Sequence, residues 1–271
     1  MSERDSYPHG VPCWVETLTD DPAAAQRFYG GLFGWTFAGS GQLSGDPPGE
    51  YFVARLDGAD VAGIAPLPGG VAPPPPAWHT HVAVDDLDAT TARARAAGAQ
   101  ILLEDWDAAP AGRLAVLSDP SEAVFCLWQG QSRPGATRVN EASAWAMSLL
   151  SAPDPLASAA FYGSVFGWEA EPFDAGQDTP VWLFRQPGYV GGEEHQPVPR
   201  DVVAAMTAGE GSTGRWDVDF WVADAAAAAA AAPDLGGAVL ADPVESGGFR
   251  RTVLADPRGA PFSASQLLMT G

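Results

Sequence analysis

The sequence of this chain contains one pattern twice, which limits the folds open to it more than any other feature. The first copy reads DDPAAAQRFYGGLFGW and ends at Trp35, and the second reads PDPLASAAFYGSVFGW and ends at Trp168. Further along, LSDPSEAVF from Leu117 matches LADPRGAPF from Leu254. Similar sequences build similar units, so a repeat over most of the 271 residues predicts two copies of one domain.

Each copy also shows a smaller unit. Residues 13–19 have the character of a strand, and Asp20-Asp21-Pro22 supplies a helix N-cap with proline just inside the helix. Apolar residues then recur at helical spacing from Ala25 to Phe33, and Gly34 stands where a C-terminal glycine belongs. Strand-like segments follow at 51–56 and 60–65, joined by a turn at Asp57-Gly58, and the plan begins again at Trp78. The chain is therefore predicted to be an α+β protein made of four βαβββ modules.

Breaks in composition set the predicted domain boundaries. The run at 69–76 is rich in glycine and proline, and it separates the first module from the second. Glycine, proline, serine and arginine are common at 129–140, between the two halves. We predict an N-terminal domain at 10–130, with modules at 10–72 and 76–130, a linker at 131–141, and a C-terminal domain at 142–269, with modules at 142–200 and 214–269.

The overall charge restricts the partners. The formal charge is −20, from 34 acidic and 14 basic residues, which argues against binding to nucleic acid. The N-terminus lacks the apolar stretch of a secretory signal, and no segment is apolar for long enough to cross a membrane. Cys13 and Cys126 are the only cysteines and do not form a disulfide framework. We expect a cytoplasmic protein, either a monomer or a homodimer.

The set FYG…FGW, WxxxxxVDD and SDP…VF resembles the vicinal oxygen chelate superfamily, in particular its two-domain glyoxalase, bleomycin-resistance and dioxygenase-like proteins of the actinobacterial type. The resemblance implies that the two modules of each domain form a curved mixed sheet, a cup with the helices on its outside. The motif residues Phe28, Tyr29, Phe33 and Trp35 lie on the apolar helix face and at the helix exit, so we expect them to pack in the core rather than bind a ligand.

The metal-dependent members of this superfamily bind one divalent cation, with ligands on the first strand and a late strand of each module. The resemblance places these positions at Trp14, Val61, His79 and Cys126 in the first half. Only His79 is a standard ligand, and a divalent cation usually needs at least three, so we expect no metal cofactor. The alternative is one divalent ion (Fe, Ni, Zn or Mn) held by Glu16, His79, His81 and Cys126.

The second half departs further from the metal-binding pattern. Its first-strand position falls within residues 145–148, its second-module position at Asp217 with Asp219 beside it, and its late position at Ser263. The two aspartates would suit a cationic ligand. Equally, they could be solvated or paired with Arg215 or Arg251.

Trp14 and Trp128 have the sequence parity of residues that face into the cup, where aromatic walls could hold a planar ligand. Glu16 or His79 could act as a general base. The predicted catalytic residues are thus Glu16 and His79, and the predicted ligand-binding residues are Trp14, His81, Cys126, Trp128, Asp217, Asp219 and Ser263.

Two functions follow from these observations. The first is a metal-independent protein that binds a small aromatic or cationic molecule, in antibiotic resistance or in secondary-metabolite tailoring. The alternative is a divalent-metal lyase, isomerase or dioxygenase with its site in the N-terminal cup. Whether the chain is an enzyme stays open at this point, because this superfamily supports many chemistries.

Overall fold

The computed structural model describes residues 2–43, 49–67, 74–173, 180–191 and 199–268, so the predicted connector at 69–76 lies partly outside it. The described residues form two eight-stranded mixed sheets and four α-helices. This confirms the predicted α+β tandem duplication. None of the helices in these ranges is long and apolar enough to cross a membrane.

The first half forms one sheet from two modules. After the short β1 (Ser2–Glu3), the first module comprises β2 (Pro12–Thr19), α1 (Pro22–Phe33), β3 (Thr36–Leu43), β4 (Gly49–Leu56) and β5 (Ala59–Pro66). The second comprises β6 (Trp78–Ala83), α2 (Leu87–Ala96), β7 (Gln100–Asp107), β8 (Gly112–Ser118) and β9 (Val124–Gly130). The strand order is β3-β4-β5-β2-β6-β9-β8-β7, so the two modules meet where β2 and β6 pair.

The second half repeats this topology after the short β10 (Arg138–Val139). Its modules are β11 (Trp145–Ala152), α3 (Pro155–Phe166), β12 (Glu169–Phe173), β13 (Val181–Arg185) and β14 (Val202–Ala208), then β15 (Arg215–Trp221), α4 (Ala225–Ala231), β16 (Ala238–Ser246), β17 (Phe249–Ala255) and β18 (Pro261–Leu267). The strand order is β12-β13-β14-β11-β15-β18-β17-β16, which matches the first sheet strand for strand.

The helices begin at the acidic turns that the sequence marks. Asp21 accepts a hydrogen bond from the backbone N–H of Ala24 at 2.9 Å, and Asp86, Asp154 and Asp224 cap the other three helices in the same way. Gly34 ends α1 with φ at +73°, a left-handed conformation that favours glycine. Local sequence therefore fixes where the chain turns from each first strand into its helix.

The two sheets pack with their helix-bearing faces toward each other. We call this side of each sheet its back face, and the opposite side its cup face. Central strands β6 and β15 meet back to back. Beside them, Thr80 Oγ1 of β6 lies 2.6 Å from Ser148 Oγ of β11. The helices thus lie outside the cups, as predicted, but in the interior of the protein between the two sheets.

This arrangement gives two hydrophobic cores, and each contains residues of both halves. In one core α1 and α4 both contribute buried residues, and Phe33 of α1 contacts Phe220 of β15 and Phe262 of β18. In the other, α2 and α3 pack together, and Phe125 of β9 contacts Phe161 of α3. Burying apolar surface across both halves makes each half part of the other's interior.

Two hydrogen-bonded chains cross between the halves inside these cores, and we call them the clasps. Each runs from a tryptophan indole to the tyrosine of an FYG motif, and from that hydroxyl to the aspartate of a DP turn in the other half. The distances are 3.0 Å and 3.0 Å in the first clasp, and 2.8 Å and 2.9 Å in the second. The clasps are Trp78–Tyr29–Asp256 and Trp216–Tyr162–Asp119.

The predicted linker at 131–141 is ordered against the first half. Within it, β10 pairs with β1, and the backbone carbonyl of Arg133 accepts a hydrogen bond from Trp128 Nε1 at 2.9 Å. The Thr137 hydroxyl accepts a hydrogen bond from the backbone N–H of Asp60 at 2.8 Å. These contacts hold the segment beside the first sheet.

Candidate functional site

Strand register brings the predicted site residues of the first half together on the cup face. Trp14 of β2 lies opposite His81 of β6, and Glu16 lies opposite His79. The parallel pairing of β6 with β9 places Cys126 beside His81. The N-terminal cup is lined by Trp14, Glu16, Tyr51, Gly63, His79, His81, Cys126 and Trp128.

A hydrogen-bonded chain runs along the floor of this cup. Trp14 Nε1 donates to Tyr51 Oη at 2.9 Å, and Tyr51 Oη donates to Glu16 Oε2 at 2.8 Å. The other carboxylate oxygen, Glu16 Oε1, lies 3.4 Å from His81 Nε2. The side chain of Glu16 is 13% exposed and that of His81 is 3% exposed, so this ionic contact is largely shielded from water.

The protonation states follow from burial and from these neighbours. Burial opposes ionisation of Glu16, but His81 and Tyr51 lower its pKa below the usual value. Burial likewise opposes the imidazolium of His81, but Cys126 and Glu16 outweigh it and raise the pKa of His81. The contact therefore favours the charged forms of both residues, while neither His81 nitrogen has a hydrogen-bond partner within the described residues.

His79 differs from His81 although it lies only two residues away on the same strand. Burial, together with the nearby His81 and Arg258, lowers the pKa of His79 to about 4, despite the opposing influence of Glu16. His79 is therefore a neutral imidazole at physiological pH, with one nitrogen able to accept a proton or a hydrogen bond.

Tyr51 and Gly63 belong to this cup, and sequence reasoning missed both. The close approach of the Trp14 indole and the Tyr51 hydroxyl leaves no room for a side chain at position 63, because a Cβ atom there would overlap Tyr51 Oη and lie 3.0 Å from Trp14 Nε1. A glycine within a strand is itself a signal of such an approach. Tyr51 carried no comparable signal beyond its place in a predicted strand.

The four metal positions implied by the resemblance do not all carry metal-ligating side chains in this cup. The prediction of Val61 as the late-strand position was wrong, because Gly63 lies opposite Glu16 on β5 as Cys126 lies opposite His81 on β9, and Val61 packs in the core. Two of the four positions thus carry tryptophan and glycine. In the described ranges, no group of three or more His, Cys, Asp and Glu side chains could hold a metal ion.

The second half presents a different cup face at the same positions. Met147 lies opposite Asp219, and Leu149 lies opposite Asp217, which resolves the open choice within 145–148. Ser263 of β18 lies beside Asp219. The register with β13 and β14 completes the C-terminal cup, which is lined by Met147, Leu149, Val181, Ala205, Asp217, Asp219, Ser263 and Ser265.

Both aspartates of the C-terminal cup have partners. Arg215 Nε donates to both carboxylate oxygens of Asp217, at 2.8 and 2.9 Å. Ser265 Oγ donates to Asp219 Oδ1 at 2.7 Å, and Arg251 Nη2 lies 4.0 Å from Asp219 Oδ2. Of the two alternatives for these acids, the structure shows the paired arrangement. Burial also raises the pKa of Asp219 even with Arg251 nearby.

Comparisons with known proteins agree with this architecture. The family model described as "Glyoxalase-like domain" matches residues 14–128 and again 147–265. The chain is 38% identical over 268 residues to "Putative glyoxylase CFP32" of Mycobacterium bovis, which covers 97% of each chain. It is 33% identical over 278 residues to "Anthracycline biosynthesis protein DauV" of Streptomyces sp. (strain C5), which covers 95% of this chain and 94% of that protein.

The fold is also found among solved structures. The Mn(II)-bound glyoxalase from Novosphingobium aromaticivorans superposes with a TM-score of 0.64 at 16% identity, covering 99% of this chain and 84% of that one. At this identity the likeness shows the fold alone. With two matched domains and relatives similar along nearly their full length, the chain belongs to the glyoxalase-like family of the vicinal oxygen chelate superfamily.

Proposed function

We propose that this protein binds a partly aromatic small molecule in the N-terminal cup, without a metal ion, in the tailoring of a secondary metabolite or in resistance to one. The observation that supports this proposal is the Trp14–Tyr51–Glu16 chain, which ends on His81 in a cup where tryptophan and glycine occupy two of the four metal positions. The similarity to a protein named for anthracycline biosynthesis points to the same class of ligand.

The chemistry of the cup suits such a ligand. Trp128 lies T-shaped to His81, with ring centroids 6.4 Å apart, and both Trp128 and Tyr51 are half-buried. Aromatic side chains offer flat apolar surface, and a few fixed polar groups among them orient a ligand. The C-terminal cup lacks this combination, since apolar Met147 and Leu149 replace Trp14 and Glu16.

Tryptophan fluorescence tests the proposal directly. We expect saturable quenching when the protein is titrated with an anthraquinone, and a weaker response in Trp14→Phe. The variant Trp182→Phe serves as the control, because Trp182 packs against the core formed by α2 and α3. A flat response of the unmodified protein across a panel of planar aromatic compounds would count against the proposed function.

Metal analysis tests the second part of the proposal. Protein purified without chelator should contain no stoichiometric divalent metal, and ligand binding should survive treatment with a chelator. Stoichiometric iron, nickel, zinc or manganese that disappears in His79→Ala would instead support the lyase, isomerase or dioxygenase alternative.

The neutral His79 next to the Glu16 carboxylate favours one further candidate, which is metal-independent proton transfer. A neutral imidazole can accept a proton from a bound ligand, and a nearby carboxylate stabilises the imidazolium that results. In His79→Gln, we expect the dissociation constant of the ligand to stay within about threefold of that of the unmodified protein, and we expect no chemical conversion of the ligand. Binding and turnover that both survive this substitution would exclude His79 as the base.

A further inference from the structure

The buried Asp219 of the C-terminal cup is the first member of a polar chain that ends on a cation. Asp219 Oδ1 accepts a hydrogen bond from Ser265 Oγ at 2.7 Å, and the same hydroxyl accepts one from Arg251 Nε at 3.0 Å. The side chain of Asp219 is 3% exposed and that of Arg251 is 44% exposed. The group that this chain presents to solvent is therefore the guanidinium of Arg251.

The guanidinium of Arg251 is held in place but keeps donors available. Its Nη2 lies 4.0 Å from Asp219 Oδ2, so the carboxylate attracts the guanidinium without accepting a hydrogen bond from it. Within the described ranges, neither Nη atom donates a hydrogen bond, and only Nε is engaged, by Ser265. Two terminal guanidinium nitrogens match the two oxygens of a carboxylate. Because Ser265 already holds the side chain, binding costs less conformational freedom.

Aromatic side chains lie beside this cation on the cup face. Trp221 of β15 is the register partner of Ser265 on β18, and Ser265 is the partner of Arg251 on β17, so the three side chains share one face. Phe249 lies on the same face two residues before Arg251, and its ring centroid is 6.0 Å from that of Trp221. Both aromatic residues are half-buried. The cation thus borders a flat apolar surface that solvent reaches.

This combination belongs to the second half alone. The N-terminal cup has no charged side chain at the corresponding positions, which the register assigns to Ala83, Gly112, Leu114 and Trp128. Leu114 stands in the place of Arg251, and Trp128 in the place of Ser265. The small side chain of Ser265 leaves space on the cup face that the Trp128 indole fills in the first half.

We propose that the C-terminal cup is a second binding site, which takes a planar aromatic carboxylate. The carboxylate accepts hydrogen bonds from the two Nη groups of Arg251, and the ring packs against Trp221 and Phe249. Asp217 and Asp219 had suggested a cationic ligand, but their pairing leaves arginine donors as the available groups. The sheets pack back to back, so the two cups face away from each other and this site is independent of the proposed function.

Two matched probes, 2-naphthoate and its neutral analogue 2-naphthamide, test the site in the full-length protein. Calorimetric titration should show saturable binding of 2-naphthoate at least about tenfold tighter than that of the amide, because the amide has one acceptor oxygen and no negative charge. In Trp14→Phe the affinity for 2-naphthoate should be unchanged, since that substitution lies in the other cup.

The variant Arg251→Gln tests the proposed anchor. The preference for 2-naphthoate over the amide should fall to about threefold or less, because the charged donor pair is lost. The matched control is Arg250→Gln, which removes the neighbouring arginine, paired with Glu245 on the opposite face of β17, and should leave the preference unchanged. Trp221→Leu should weaken both probes by a similar factor, because it removes aromatic surface but no charge. Thermal unfolding confirms that the variants are folded.

Each contrary outcome overturns the second site. Equal affinities for the two probes, or no binding of 2-naphthoate, overturn it and leave intact the function proposed for the N-terminal cup, which is measured with an anthraquinone. A preference that persists in Arg251→Gln, or that is lost equally in Arg250→Gln, excludes Arg251 as a specific anchor. Loss of 2-naphthoate binding in Trp14→Phe would place this ligand in the N-terminal cup instead.

Discussion

Gly63 occupies a position at which the two halves of the chain carry different residues. It lies on β5 against the Tyr51 hydroxyl and the Trp14 indole, and its equivalent in the second half is Ala205 on β14. The second half tolerates a methyl group there because Val181 and Met147 stand in the places of Tyr51 and Trp14. The missing side chain at position 63 thus leaves the space that the hydrogen-bonded chain orienting Glu16 requires.

The substitution Gly63→Ala should damage this chain. The added Cβ displaces Tyr51 Oη, so we expect a loss of about 1 to 3 kcal/mol in the free energy of unfolding, as for other overpacked sites, and ligand binding at least about tenfold weaker. Urea denaturation and fluorescence titration measure the two effects. In a Tyr51→Phe background the same substitution should cost less, and an equal cost in both backgrounds would contradict the clash with the hydroxyl.

Strand parity was the part of the site that the sequence could predict. A period of two places His79 and His81 on one face, and the register places Glu16 and Cys126 there as well. The role of Tyr51 could not be predicted, because it depends on how β4 pairs with β5. That pairing is irregular between Ala54 and Arg55, and counting along the sequence does not reveal such a shift of register.

Helix α4 consists of seven alanines, so no hydrophobic pattern in the sequence marks its buried face. The side chains on that face are suited to the core by their small size. Asp224 caps it by accepting hydrogen bonds from the backbone N–H groups of Ala226 and Ala227. Ala228 and Ala229 are buried in the core shared with α1. The methyl groups allow α4 to lie close against the sheet that carries β16, β17 and β18.

Enlarging the buried face of α4 should therefore destabilise the protein. We expect Ala229→Leu to lower the free energy of unfolding by about 1 to 3 kcal/mol, because the closely packed core has no space for the larger side chain. The control is Ala227→Leu, at an exposed position of the same helix, which should change stability by no more than about 0.5 kcal/mol. Chemical denaturation compares the two, and equal effects would show that the close packing is not needed.

Local chemistry explains why elements were easier to predict than the contacts between them. The acidic caps and the glycines after α1 and α3 act within a few residues, so the sequence reveals them. The two-residue strand β10 inside the linker had no such signal, since it exists only because β1 pairs with it from the other end of the first half. Contacts between distant segments leave no local pattern.

The clasps join the two halves by hydrogen bonds between buried side chains. The repeated motifs indicated core residues, which the structure bears out, but not that Tyr29 reaches Asp256 and Tyr162 reaches Asp119 in the opposite half. This exchange of partners could not be predicted from one copy of the motif. Because both hydrophobic cores also contain residues of both halves, neither half has an interior of its own.

Removing one clasp hydroxyl should weaken the entire protein. In Tyr29→Phe, Asp256 and Trp78 each lose a buried hydrogen-bond partner, so we expect a loss of about 1 to 3 kcal/mol in the free energy of unfolding. Tyr162→Phe should cost a similar amount, and the double variant should be additive within about 0.5 kcal/mol because the clasps lie in separate cores. Urea unfolding should remain a single transition; two transitions would mean that the halves fold independently.

Because the sheets pack back to back, the two sides of the central strand β15 have different roles. On β15, Trp216, Val218 and Phe220 hold the halves together, while the alternating Asp217 and Asp219 lie in the C-terminal cup. Substitutions on the cup side of such a strand can therefore accumulate without weakening the contacts between the halves on its other side. A duplicated chain with this packing can keep the cup-lining residues of one copy while those of the other copy change.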